Sequence, residues 1–263
     1  MSLEGLRKGR GCTSVRPAKG KVFRQEVTTA SGGKAPDGSG TACAEILRLY
    51  GKCSTFYGRL GWWPAESPFE VCVGAVLTQN TSWRNVERAL ENIRAGIGIT
   101  PYAVVSAGTE KIQQLIRPSG FYRQKARTLI AFSKFAMENF GGDITRLGRM
   151  GEDEARKLLL GIRGIGNETA DSMLLYACGI PSFVVDAYTR RLFHRIGIAD
   201  ENAAYDSIKL AVEKCTGREF RDMQQLHALI VEHSKRFCRK NPLCGECFYR
   251  ADCRHGKMVR GTR

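Results

Sequence analysis

Residues 158–198 contain the feature that most constrains the fold, a glycine-rich hairpin between two predicted helices. Residues 158–160 end an apolar helical pattern. The sequence GIRGIG from Gly161 to Gly166 cannot continue it, because its three glycines supply positive φ angles and allow a close backbone approach to a partner. Asn167 marks the start of the next helix. A loop beside a helix N-terminus offers N–H groups, so this segment predicts an anion site.

A single carboxylate follows the hairpin. After Pro181, an apolar run at residues 183–185 leads to Asp186, and Arg190 and Arg191 come one helical turn further on. An acidic residue close to a phosphate-binding hairpin and a pair of arginines makes Asp186 the candidate catalytic residue.

The charge of the chain indicates a polyanionic partner. It has 41 basic and 26 acidic residues, a net charge of +15, which favours phosphate neutralisation and counterion release. We therefore expect the partner to be double-stranded DNA. A membrane is the weaker alternative, because no apolar run approaches the roughly twenty residues that a spanning helix needs. No secretion signal is evident either, so we expect an intracellular monomer, in the bacterial cytoplasm or nucleoid.

Helical periodicity predicts an all-α fold. The 263 residues, 43% of them apolar, are enough for one or two globular domains. Apolar residues recur at helical spacing in six segments: Ala42–Tyr57, Phe69–Leu77, Val86–Ile93, Lys125–Phe140, Tyr205–Val212 and Met223–Phe237. Residues 1–40 are predicted to be a disordered basic tail, with a transit peptide or a misplaced start codon as alternatives, and residues 254–263 a second basic tail.

The ten cysteines fall into two main groups. Five lie within helical patterns and are predicted to be small buried hydrophobes: Cys43, Cys53, Cys72, Cys178 and Cys215. Four more are clustered as Cys238-x5-Cys244-x2-Cys247-x5-Cys253, which in an intracellular protein argues for metal rather than disulfides.

The spacing of this cluster favours iron–sulfur over zinc. Structural zinc usually takes two short Cys-x(2–4)-Cys knuckles, and only one is present here. Four cysteines can instead hold a [4Fe–4S] cluster. Zinc or an empty site is the alternative. Basic residues flank the cysteines, so we interpret the loop as a structural element for DNA docking: Lys235, Arg236, Arg239, Lys240, Arg250 and Arg254.

Together these features resemble the helix-hairpin-helix DNA glycosylases of the endonuclease III superfamily, over roughly residues 40–255. The resemblance implies two helical lobes with a DNA-binding cleft between them. One lobe comprises residues 69–196 and contains the helix-hairpin-helix at about 154–178. The other combines residues 41–68 and 197–237, followed by an iron–sulfur loop at 238–253. The first cysteine gap, at five residues, is one residue shorter than in that superfamily.

The residue just inside the second hairpin helix indicates the class of chemistry. In bifunctional members of the superfamily a lysine at this position forms a Schiff base with the sugar, whereas this chain has Glu168. A carboxylate cannot form that bond, and the nearest lysine in sequence, Lys157, lies on the preceding helix. The resemblance therefore implies a monofunctional glycosylase, in which Asp186 stabilises an oxocarbenium-like transition state or orients a water.

Two aromatic motifs indicate the substrate. The Trp62-Trp63-Pro64 turn and Trp83 resemble the residues that sandwich the flipped base in 3-methyladenine DNA glycosylases of the endonuclease III-like branch. Without the hairpin, Trp62 and Trp63 would be read as core side chains. The resemblance also places Glu168 in the base pocket, where it adds negative charge or simply stabilises its helix N-terminus.

DNA contacts follow from the same resemblance: Gln79 as a wedge, the hairpin residues Gly164, Ile165 and Gly166, and the basic residues Arg190, Arg123 and Lys125. The alternative for Gln79 is an ordinary amide at a helix end. The alternative for Lys125 is a solvated helix face.

Three functions compete. The first is a monofunctional glycosylase for damaged, 3-methyladenine-type purines in base excision repair. The second is an endonuclease III-like glycosylase for oxidised pyrimidines or mispaired bases, whose oxidised-pyrimidine members usually carry the hairpin lysine. The third is a non-catalytic iron–sulfur DNA-binding protein, against which Asp186 argues.

Overall fold

The computed structural model describes residues 40–61 and 63–259, and in these residues the chain forms helices and no strand. This confirms the all-α prediction. The α-helices are α1 (Gly40–Tyr57), α2 (Pro68–Leu77), α3 (Trp83–Gly96), α4 (Pro101–Leu115), α5 (Tyr122–Phe140), α6 (Glu152–Leu160), α7 (Asn167–Ala177), α8 (Ala187–Ile196), α9 (Tyr205–Cys215), α10 (Phe220–Arg236) and α11 (Arg254–Met258). Short 3-10 turns occur at Arg117–Ser119 and Ile144–Arg149.

All six segments predicted from periodicity are helical, but two helices were missed. Helix α4 begins where the Thr100 hydroxyl accepts a hydrogen bond from Ala103 N (3.1 Å), with Pro101 in the first turn. Gly108 then interrupts it with a φ of 72°, so one apolar face does not continue through the segment. Helix α11 occupies the first half of the predicted C-terminal tail. The tail predicted at residues 1–40 lies outside the described residues except for Gly40, which begins α1.

The helices surround two hydrophobic cores. Helices α2 to α7 form the first, in which residues 69–77 of α2 are buried on every side. Helices α1, α8, α9 and α10 form the second. The lobe boundary therefore differs from the predicted one at Ile196, because Leu175 and the buried residues of α8 pack into the second core.

A segment without helix or strand, residues 178–186, passes from the first core to the second. Its polar groups are tied to buried side chains. The Ser182 hydroxyl donates to Asp171 Oδ1 (2.7 Å), Phe183 N donates to Glu213 Oε1 (2.8 Å), and Val185 N donates to the Tyr205 hydroxyl (3.3 Å). These bonds fix the backbone immediately before Asp186.

The two buried carboxylates in this arrangement are paired with cations. Arg156 donates from Nε to Asp171 Oδ1 (2.8 Å) and from Nη2 to Oδ2 (3.2 Å). Lys209 lies between Glu213 and Glu152, at 2.6 Å from Glu152 Oε1. Burial would lower the pKa of Lys209, but the hydrogen bonds that it donates to these two carboxylates hold its pKa above the ordinary value. Lys209 is therefore a charged partner within the protein interior.

The helical cysteines are not all buried hydrophobes. Cys43 and Cys215 are half-buried and form a disulfide between α1 and α9, with their Cα atoms 5.3 Å apart, which corrects the prediction for this pair. Cys53 and Cys72 are buried and Cys178 is half-buried. No helix in the described part of the chain is long and apolar enough to cross a membrane.

Candidate active site

A cleft of about 350 Å³ brings together many of the residues singled out in the sequence. Its walls come from α2, α3, α7, α8 and α10 and from the turn before α2. The predicted residues that line it are Trp63, Pro64, Gln79, Trp83, Glu168 and Asp186. Trp62 was also predicted here and lies outside the described residues.

Asp186 is the N-cap of α8. Its Oδ1 accepts a hydrogen bond from Thr189 N (2.7 Å), and its side chain is 13% exposed, toward the cleft. Burial would raise the pKa of Asp186, but its interaction with His227, together with the hydrogen bond from Thr189, lowers it below its ordinary value. The site thus presents an ionised carboxylate in a partly desolvated cleft.

His227 and Tyr176 complete the surroundings of Asp186 and were missed in the sequence. His227 Nε2 lies 3.5 Å from Asp186 Oδ2, and the Tyr176 hydroxyl lies 2.7 Å from His227 Nδ1. The only signal was that His227 falls on the apolar face of α10 with Met223 and Ile230, where a histidine is ordinarily a core residue.

Glu168 lies in the first turn of α7 with its side chain exposed. Desolvation by the cleft walls and, to a smaller extent, the negative charge of Asp186 raise the pKa of Glu168, although its side chain is exposed. Among the residues that the structure describes, one lysine lines the cleft, Lys235 on α10. Lys157, the nearest lysine in sequence, does not line it.

Aromatic rings form a corner of the cleft. Trp63 and Trp83 are nearly perpendicular, at 80°, with ring centroids 5.7 Å apart, and Trp63 also packs on Tyr176 at 5.2 Å. These two tryptophans therefore provide a corner rather than the parallel slot that a sandwich requires. The Trp63 indole rests on Gly74 of α2, where an added Cβ would lie 3.1 Å from Trp63 Nε1.

The hairpin joins α6 and α7 as expected, but its glycines differ in role. Of the three, only Gly164 has a positive φ (94°), and a Cβ there would lie 2.1 Å from Thr128 Oγ1. No side chain caps α7, which leaves its first turn accessible to an anion. Ile165 is buried and its N–H donates to Ile162 O (3.0 Å), so its predicted role as a DNA contact is replaced by a structural one.

Gln79 and Arg190 have protein partners in this structure. The Gln79 amide donates to Gly164 O (3.1 Å) and to Thr169 Oγ1 (2.9 Å), and so ties the end of α2 to the hairpin. Arg190 Nη1 donates to Ala203 O (2.7 Å). The Gln79 contact holds part of the cleft wall in place, whereas the Arg190 contact ties α8 to the segment before α9.

The two predicted phosphate contacts in α5 have different environments. Arg123 is exposed at the start of the helix, as a phosphate contact requires. Lys125 is 2% exposed, and its Nζ donates to Leu77 O (2.9 Å) and Ser119 O (2.7 Å). Burial lowers the pKa of Lys125 to about 8. The prediction for Lys125 is corrected, because its ammonium joins two backbone segments and does not reach the surface.

Comparison with known proteins assigns the family. The sequence profile of the HhH-GPD superfamily of base excision DNA repair proteins matches residues 73–217, which include the hairpin and Asp186. The chain belongs to this superfamily. This confirms the resemblance found in the sequence and makes the HhH-GPD protein a DNA glycosylase of base excision repair.

Proteins similar to this HhH-GPD protein include both endonuclease III and a 3-methyladenine DNA glycosylase. It is 45% identical over 210 residues to a protein of Methanocaldococcus jannaschii named as a DNA repair glycosylase, covering 79% of this chain and 95% of the relative. It is 29% identical to endonuclease III of Thermotoga maritima, covering 71% and 82%. Among solved structures it is similar to the 3-methyladenine DNA glycosylase of H. pylori bound to 1,N6-ethenoadenine, at 28% identity and a TM-score of 0.63, covering 74% and 97%.

The C-terminal cysteines of this HhH-GPD protein converge on one cavity, lined by Cys238, Cys244, Cys247 and Cys253. Within residues 40–61 and 63–259, no three His, Cys, Asp or Glu side chains are close enough to bind one metal ion. Two sulfurs accept hydrogen bonds, from Arg195 Nη1 to Cys238 Sγ (3.3 Å) and from Gly256 N to Cys253 Sγ (3.3 Å).

Proposed function

We propose that this HhH-GPD protein is a monofunctional DNA glycosylase that hydrolyses the N-glycosidic bond of alkylated, 3-methyladenine-type purines in double-stranded DNA. The observation that carries the proposal is one cleft in which the carboxylate of Asp186 lies near the aromatic corner, with Glu168 in place of a hairpin lysine.

The chemistry needs few groups. A purine methylated at N3 is cationic, so its bond to the sugar is weakened before it meets the enzyme. The C1′–N9 bond breaks with both electrons moving to the base, which leaves neutral. Water then bonds to C1′ and releases its proton to solvent, which gives an abasic site. Asp186 stabilises the positive charge that develops on the sugar and orients the water.

The aromatic corner favours a cationic base over a neutral one. A positive charge over the face of a tryptophan is attracted by the ring quadrupole, by about 0.5–2 kcal/mol. The carboxylate of Glu168, on the same cleft, adds negative charge. An undamaged adenine gains neither interaction.

We expect Trp83→Ala and Trp63→Ala each to weaken the interaction with 3-methyladenine by about 1–2 kcal/mol, because each removes a ring face of the cleft. The measurement is the single-turnover excision rate as a function of enzyme concentration on a methylated duplex, beside the affinity for undamaged duplex, which should hardly change. The same loss is predicted for Trp62→Ala.

Tyr102→Ala is the matched control, because Tyr102 is 70% exposed and lies outside the cleft. Normal excision of methylated purines by both cleft variants would contradict the alkylation proposal and return these residues to a packing role.

An endonuclease III-like activity on oxidised pyrimidines or mispaired bases is the second candidate. The observation that favours it is Lys235, which lines the cleft and carries an amine, the group that a Schiff base requires. We expect no such reaction: strand cleavage at a lesion should need added alkali, and borohydride should trap no covalent enzyme–DNA adduct. If an adduct forms, the monofunctional proposal is wrong, and its loss in Lys235→Gln would identify the amine.

We also propose that Cys238, Cys244, Cys247 and Cys253 hold a [4Fe–4S] cluster. Four thiols line one cavity, and their spacing, with a single short Cys-x2-Cys knuckle, favours a cluster over zinc. The N–H groups that point at two of the sulfurs suit thiolate ligands. A cluster bound there would cross-link the loop and hold its basic flanking residues in place. We propose that these basic residues contact DNA.

Anaerobically purified protein should be yellow-brown and contain about four iron atoms per chain, measured by metal analysis. Cys244→Ser should lose most of the iron, whereas Cys72→Ala, a buried cysteine of the other core, should keep it. Stoichiometric zinc without iron would overturn the cofactor proposal and leave the glycosylase proposal standing.

A further inference from the structure

A buried histidine, His227, lies next to the carboxylate of Asp186. His227 is only 4% exposed, and its two ring nitrogens face two different elements. Nε2 lies 3.5 Å from Asp186 Oδ2 at the start of α8, and Nδ1 lies 2.7 Å from the Tyr176 hydroxyl of α7. Three helices therefore meet at one imidazole, next to the carboxylate that faces the cleft.

The partners of the ring fix where its proton lies. An ionised carboxylate only accepts hydrogen bonds, so Nε2 carries the hydrogen that faces Asp186. The Tyr176 hydroxyl is 2.7 Å from Nδ1 but 3.5 Å from Gln224 O, so its stronger bond is donated to Nδ1. A ring that accepts at Nδ1 keeps its proton on Nε2.

The two oxygens of Asp186 are held from different sides. Oδ1 accepts from Thr189 N (2.7 Å), as expected for a helix N-cap, and this bond alone lets the carboxylate tilt. Oδ2 faces His227. Because a charge-stabilising group acts only when held within about 0.5 Å of its productive position, the second contact matters for the reaction.

We propose that His227 is a positioning residue for base excision, whose Nε2–H, supported by Tyr176, holds Asp186 Oδ2 in the orientation that stabilises the transition state at C1′. The inference rests on the proposed role of Asp186. Tyr176 also packs on Trp63, with ring centroids 5.2 Å apart, so the same chain of contacts joins the carboxylate to the aromatic corner.

The electrostatics of the cleft give this proposal a signature in pH. The groups that face the imidazole are Asp186, Tyr176 and Glu168, with Arg190 near Glu168. Burial raises the pKa of Asp186, and His227 is the largest influence that lowers it. Loss of His227 therefore raises the pKa of Asp186. Since excision needs the ionised carboxylate, the acidic limb of the pH–rate profile should move to higher pH.

The test compares His227→Leu, which keeps the volume but has no N–H, with His227→Gln, which keeps an N–H donor at a similar reach. We expect the Leu variant to lower the single-turnover excision rate by about 10–100-fold, with duplex affinity within about twofold and the acidic limb at higher pH. The Gln variant should recover most of the rate. Tyr176→Phe should lose part of it.

Gln225→Leu is the control on the same helix, because Gln225 bonds to Gly58 O and Leu60 N and lies outside the cleft. Its excision rate should match that of the unmodified chain. The proposal is overturned if His227→Leu excises within about twofold of the unmodified chain, or if Leu and Gln are equally slow with an unchanged pH profile. If the Leu variant does not fold, Tyr176→Phe decides, and an excision rate and pH profile that match those of the unmodified chain would overturn the proposal.

All rates are measured on whichever damaged duplex the unmodified chain excises. If the substrate proposal is wrong, the unmodified chain will excise a different lesion. The comparison of the variants with the unmodified chain remains valid on that lesion.

Discussion

Asp186→Asn should lower the single-turnover rate of base excision by about 100-fold or more, because the amide carries no charge to stabilise the oxocarbenium-like transition state. The fold should survive the change. Asp186 caps α8 through Thr189 N, and asparagine caps a helix as well as aspartate does. Affinity for damaged duplex should therefore remain near that of the unmodified chain, and the measurement pairs the excision rate with that affinity.

Asp143→Asn provides the matched control, because Asp143 also caps a helical turn, at Thr145 N (3.1 Å), but is exposed and lies outside the cleft. It should excise normally. Activity of Asp186→Asn within a few-fold of the unmodified chain would reject Asp186 as the catalytic residue and show that another group catalyses excision.

Lys209→Met should reduce the free energy of unfolding by about 3–5 kcal/mol, because it removes the buried cation beside Glu213 and leaves only the exposed Arg218, 3.3 Å from Glu213 Oε2. Lys209 is 5% exposed and Glu213 is 1% exposed, and the methionine would leave that carboxylate in the protein interior. Because Glu213 also accepts from Phe183 N, the segment that leads to Asp186 should loosen. Chemical denaturation gives the free energy, and the excision rate reports the segment.

Arg48→Met is the control for this effect, since the Arg48–Glu45 pair is on the surface, with side chains 46% and 27% exposed. Exposed pairs contribute about 0–1 kcal/mol, so its stability should hardly change. Equal losses in the two variants would show that burial of the Lys209 network contributes nothing.

The sequence could predict the parts of the fold that depend on local pattern. Six helices have continuous apolar faces, and Gly161 to Gly166 cannot continue a helix. Helix α4 was not predicted, because Gly108 interrupts its apolar face with a positive φ. The lobe boundary was not predicted correctly either, since no local pattern shows into which core Leu175 packs.

The candidate site was predictable where one residue type is chemically required. Asp186, Trp83 and Glu168 do line one cleft. The rest depends on contacts between distant residues. From its position on α10, His227 resembles a core residue, and only the fold brings Asp186 to 3.5 Å from it. Lys125 resembles a surface cation in the sequence, and only the fold shows that its Nζ donates to Leu77 O and Ser119 O.

The proposed excision of alkylated purines is tested most directly by identifying which base the unmodified protein releases. Duplexes that carry 3-methyladenine, 7-methylguanine, ethenoadenine, an oxidised pyrimidine or a mispaired base are incubated with it, and free bases are separated by chromatography while strands are scored with and without alkali. We expect release of free 3-methyladenine, with abasic strands that break only in alkali. Faster release of an oxidised pyrimidine, or strand cleavage without alkali, would contradict it.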